Sequence, residues 1–83
     1  MPKKGPRKQF IDKPFVISVG AKIREIRLLK NMSQEAFAAE CDVDYSQINR
    51  MELGKVNFSI SYLSKIAKGL KIHPMELLRD TEV

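Results

Sequence analysis

From Tyr45 to Arg50 the chain reads YSQINR, and Tyr45, Ser46, Gln47, Asn49 and Arg50 all carry hydrogen-bonding groups. Hydroxyl, amide and guanidinium groups at this density can donate to and accept from the edges of bases in a nucleic-acid groove. A plain solvated helix face has the same composition, so position must decide between the two. Covalent chemistry has little to work with. The single histidine, His73, precedes Pro74 and reads as a helix cap, and the single cysteine, Cys41, sits in an apolar helical pattern as a small buried residue would. No His, Cys and carboxylate cluster has metal-ligand spacing, and no glycine-rich phosphate loop occurs. We expect no catalytic residue, no metal and no cofactor, and no small-molecule ligand is evident.

Position follows from helical periodicity. With Ile48 facing the core and each residue turning about 100°, Met51 and Glu52 fall near the core. Ser46, Asn49, Arg50 and Leu53 point away, with Tyr45 and Gln47 on the flanks. Ser33 is an N-cap for a preceding helix, Gln34 to Cys41, and Met32 is placed to staple onto Phe37. Phe37, Ala38 and Cys41 face inward, the chain turns at Asp42 to Asp44, and the next helix ends at Gly54. Two short helices about so tight a turn, residues 33–54, form a helix-turn-helix signature, whose second helix enters the major groove of DNA. Around it, Val16, Val19, Ile23 and Ile26 predict a first helix that starts between Lys13 and Val19 and ends near Asn31; Pro14 suits its first turn, and Gly20 obscures its start. Ser59 caps a fourth helix with Ile60, Leu63, Ile66, Ala67 and Leu70 on one face. His73 and Pro74 open a fifth, Met75 to Leu78. No stretch alternates as a strand does, so the fold class is all-α.

Three acids, Glu40, Asp42 and Asp44, stand at this turn in a chain of net charge +5. Glu40 is expected on the solvated side of its helix. Asp42 holds the turn, and Asp44 is expected to N-cap the third helix, its carboxylate accepting from the amides of Ser46 or Gln47. Most of the excess charge lies at the start: residues 1–13 hold five basic side chains and one acid, residues 14–83 ten and nine. We expect residues 1–12 to be a flexible basic arm, either a solubilising tail or a segment that follows a phosphate backbone, and residues 13–83 to be one helix-turn-helix domain. No apolar run approaches the roughly 18 residues of a membrane span, so no membrane partner and a cytoplasmic setting are expected.

From Gly20 to Leu78 the chain resembles the Cro and C1 repressor-like helix-turn-helix family. The features are Ile23-Arg24-Glu25-Ile26-Arg27, Ser33-Gln34-Glu35-Ala36-Phe37-Ala38, and Ile48-Asn49-Arg50-Met51-Glu52-Leu53-Gly54-Lys55, continuing through Asn57, Ser59, Leu63 and Leu70 to Glu76-Leu77-Leu78. Two positions depart from it: Asp42 stands where the family usually has glycine, and Phe58 where it often has proline. Within the family, the controller proteins of restriction-modification systems are most similar.

The resemblance implies a compact five-helix, lambda-repressor-like domain and a double-stranded DNA-binding transcriptional regulator, a homodimer on a pseudo-palindromic operator. It implies that Gln34 contacts phosphate and steadies the recognition helix. Asp44, Tyr45, Ser46 and Arg50 would reach base edges, with Gln47 and Asn49 beside them, while Lys55 and Asn57 close on the second strand's backbone. It also implies a salt bridge between Arg27 and Glu52, and physics agrees, because a core-facing acid needs a buried partner. Met75, Leu77 and Leu78 offer more apolar surface than a short helix can bury, which motivates the dimer. A helical protein-protein adaptor of the coactivator kind, or an antitoxin, built on the same fold is the competing reading.

Overall fold

Backbone polar groups at helix ends need partners, and this chain supplies them at nearly every terminus. The computed structural model describes residues 10–80, which form α1 (Lys13–Leu29), α2 (Gln34–Cys41), α3 (Tyr45–Glu52), α4 (Ile60–Leu70) and α5 (Met75–Leu78), with no strand among them. Of the expected basic arm, residues 1–9 lie outside the described residues.

Asp12, Ser33 and Ser59 cap α1, α2 and α4, each side-chain oxygen accepting from the amide three residues on. The cap at Asp12 resolves the start that Gly20 obscured: α1 runs straight through the glycine. Four helices end on one device, a residue in the left-handed region: Asn31, Asp42, Gly54 and Lys71. In each, the next residue's N–H closes a wide turn, donating to the carbonyl of Arg27, Ala38, Arg50 or Ala67 at 2.9–3.2 Å. After three of these turns the next residue, Met32, Val43 or Ile72, packs back on the core. After the fourth it is Lys55, which stays exposed. Asp42, at φ 58°, therefore does the work expected of glycine.

The core is Val19, Ile23, Phe37, Ala38, Cys41, Ile48, Met51, Ile66, Ala67, Leu70 and Leu77. α2 packs on both α3 and α4, and α1 packs on α3 and α5. Phe58 lies partly buried on this core with its ring tilted against Tyr62, centroids 6.2 Å apart.

Four expectations need correction. Ile60 shares the sequence stripe of α4 but is 86% exposed. α2 approaches α4 closely at its last turn, Cys41 against Gly69, whereas Ile60 stands at the opposite end of the helix. Leu77 is fully buried and belongs to the core, leaving Met75 and Leu78 outside. Glu40 is not simply solvated, because it accepts from Lys71 Nζ at 3.2 Å; both side chains are exposed, so the pair contributes little. Asp44 has the extended backbone of an N-cap, but its carboxylate makes no capping bond. Its backbone carbonyl accepts from Gln47 and Ile48 instead.

Candidate nucleic-acid interface

The outer face of α3 is held by what its inner face buries. Ile48 and Met51 are fully buried, and Glu52 is 8% exposed. An acid so placed needs its charge matched, and Arg27 of α1 does this bidentately: Nε donates to Glu52 Oε2 at 2.6 Å and Nη2 to Oε1 at 3.0 Å. Arg27 Nη1 donates to the Met32 carbonyl at 2.8 Å, tying the pair to the segment entering α2. The expected Arg27–Glu52 bridge is therefore present, and among the described residues no buried side-chain polar atom lacks a partner.

Gln34, the first residue of α2, completes this network. Its Nε2 donates to Glu52 Oε1 at 3.0 Å and to Asn49 Oδ1 at 3.4 Å. Gln34 thus reaches the recognition helix itself, with its amide nitrogen turned inward. The first amides of α2 have no intrahelical acceptor, so backbone N–H groups remain at this end for an anion.

Tyr45, Ser46, Asn49 and Arg50 of α3 are exposed together with Leu53, the residue that ends it. Gln47 is placed apart, half-buried and lining a shallow polar hollow with Asp44, Tyr62 and Lys65. Lys55 and Asn57 are exposed just beyond the end of α3. That end is tightly built: Gly54, at φ 74°, needs the left-handed region, and a Cβ there would fall 2.8 Å from Ile17 Cα. Gly20 marks a second close approach, where a Cβ would overlap the carbonyl oxygen of Met51. Periodicity cannot reveal either contact, since a glycine looks the same to it wherever two helices cross.

Cys41 has no reactive character. Burial, reinforced by Glu40 and opposed by Lys65, pushes its thiol up to about 11, so it stays protonated at neutral pH.

A family model described as helix-turn-helix matches residues 23–77. Control protein C.BamHI of Bacillus amyloliquefaciens is 45% identical over 65 residues, covering 77% of this chain and 80% of that protein. Control protein C.MunI of a Mycoplasma species is 42% identical over 67 residues, covering 80% of this chain and 90% of that protein. Among solved structures, the restriction-modification controller protein C.AhdI from Aeromonas hydrophila superposes with a TM-score of 0.72 at 35% identity, over 75% of this chain and 94% of its own.

Proposed function

Since the chain belongs to the helix-turn-helix family of Cro/C1 type, we propose that it acts as a controller-type regulator, a homodimer laying α3 in successive major grooves of a pseudo-palindromic operator. The protein is a DNA-binding transcriptional regulator, not an enzyme. The observation that carries the finer reading is the exposed polar face of α3, held by the Arg27–Glu52–Gln34 network beneath it. A rigid reader loses little entropy on binding. The polar character of Ser46, Asn49 and Arg50 disfavours an adaptor, whose working face would be apolar or acidic.

Within this reading Tyr45, Ser46, Asn49 and Arg50 meet base edges, and Asp44 and Gln47 flank the start of the helix. Lys55, Asn57 and the backbone amides at Gln34 meet phosphates. The basic residues 1–12 add a non-specific arm. We assign the protein to the cytoplasm; no helix among the described residues is long and apolar enough to cross a membrane.

A two-fold operator needs recognition helices about 34 Å apart, hence a second copy. An apolar groove of about 240 Å³ between α1, the α3–α4 segment and α4 suits it: no charged side chain lines it, and Ile60 and Leu78 stand at it, both exposed. A cavity beside a protruding apolar side chain can be complementary to itself across a two-fold axis. Ile60→Lys is therefore expected to leave the helical circular dichroism unchanged while shifting sedimentation toward monomer and weakening operator binding.

Sequencing of random duplexes selected by the protein tests the reading as a whole. A palindromic motif is expected, and no enrichment even at low salt would sink it. Two variants separate the roles. Arg50→Ala is expected to cost about 1–3 kcal/mol per half-site on the preferred operator and to relax one position in each, whereas Lys55→Ala weakens all sequences alike and lowers the salt slope by about 1 per half-site, about 2 for the dimer.

A further inference from the structure

The hydrogen bonds beneath α3 have a direction, and it propagates to the surface. Both oxygens of Glu52 receive N–H groups from Arg27, at 2.6 and 3.0 Å. A carboxylate used in this way only accepts, so the group Gln34 turns toward it must be its NH2. The amide has two N–H bonds. One is directed at Glu52 Oε1, 3.0 Å away, and the other at Asn49, 3.4 Å away. The atom of Asn49 that meets a donor must be its oxygen. The exposed side of Asn49 is then its NH2.

We propose that Asn49 reads DNA as a donor, with Gln34 as the positioning residue that sets this polarity, so that Asn49 recognises a base presenting acceptors in the major groove, guanine or thymine. This rests on the DNA-binding reading above and names what one residue of that interface selects. An unconstrained asparagine pairs with adenine by donating to N7 and accepting from the N6 amino group. Here one lone pair of the oxygen is taken by Gln34 and the oxygen is held toward α2, so adenine's amino group would meet the outward NH2 of Asn49 and not its acceptor. Guanine offers O6 and N7, and thymine offers O4, with no such conflict. The chain Arg27 to Glu52 to Gln34 to Asn49 thus converts a buried charge pair into a preference at the surface.

The test is the selection of random duplexes repeated with variants, followed by affinities on duplexes differing only at the Asn49-dependent position. Asn49→Ala locates that position as the one whose preference disappears. The wild-type protein is expected to hold guanine or thymine there about tenfold over adenine. Asn49→Asp keeps the shape and the bond from Gln34 but removes the donors, and is expected to lose this preference or move it to cytosine. Gln34→Met keeps the side-chain length, frees the Asn49 amide to rotate, and is expected to admit adenine at that position alone. Circular dichroism confirms that each variant is folded. Adenine as the wild-type choice would overturn the proposal while leaving DNA recognition intact, and so would an Asn49→Ala variant that weakens all sequences equally. If Gln34→Met lowers affinity uniformly with the base preference unchanged, Gln34 is not the positioning residue. A wild-type protein that enriches no motif would overturn this proposal and the functional reading together.

Discussion

Glu52→Ala is expected to remove about 3–5 kcal/mol of folding stability, as removing one partner of a buried ion pair does. The loss comes from what remains. Arg27 is 6% exposed, and with Glu52 gone its guanidinium keeps only the Met32 carbonyl among the acceptors it now uses. Against a total of about 4–12 kcal/mol for a domain of this size, that is a large share. Urea unfolding should show the midpoint falling steeply with little change in slope, and the melting temperature should drop by roughly 15–30 °C. Replacing both partners, Arg27→Met with Glu52→Leu, is expected to recover most of the loss, because no buried charge is then left alone. Failure of the double variant to recover would mean that the pair contributes net stability beyond compensating its own burial. The recovered protein would still lack the acceptor that orients Gln34, so it should fold well and read the Asn49 position loosely.

The second large effect is at Gly20, and its sign is informative. Glycine to alanine inside an exposed helix usually stabilises by roughly 0.5–1 kcal/mol. Here a Cβ would overlap the Met51 carbonyl oxygen and stand 3.2 Å from that of Glu52, and both are backbone atoms with no rotamer to move. Gly20→Ala is therefore expected to destabilise by about 1–3 kcal/mol, the cost of overpacking. Because α3 must shift away from α1 to admit the methyl, operator affinity should fall by more than the lost stability explains. Titration of the folded variant at low temperature, compared with Arg50→Ala, checks this. Higher stability in Gly20→Ala would show that the crossing is looser than it stands here.

Much of the fold was legible because it is local. Ser33 and Ser59 are caps by their chemistry and position, and Asp42 takes the left-handed turn because a short polar side chain tolerates it. The faces of α3 followed from a period of 3.6 residues: Ile48, Met51 and Glu52 are inside, and Ser46, Asn49, Arg50 and Leu53 are outside. Local reasoning failed where a neighbour decides. Ile60 fits the stripe of α4 but is left exposed in its first turn. Asp44 has the residue type and backbone of a cap, yet an exposed carboxylate can stay hydrated at little cost, so nothing obliges it to bond. Glu40 finds Lys71 only because α2 and α4 end side by side.

From the sequence alone came the all-α class, the helix-turn-helix register and the polar face that a DNA reader would use, since periodicity, capping and turn chemistry act over a few residues. That Glu52 needs a partner was also fixed there, because an acid on a core-facing position cannot stay bare. Only the tertiary structure decided how that need is met. Residues 27, 34, 49 and 52 come from three helices, and hydrogen-bond direction exists only once their atoms are within about 3 Å of one another. The identity of Asn49 is in the sequence, while the side of its amide that faces outward is a property of the assembled fold.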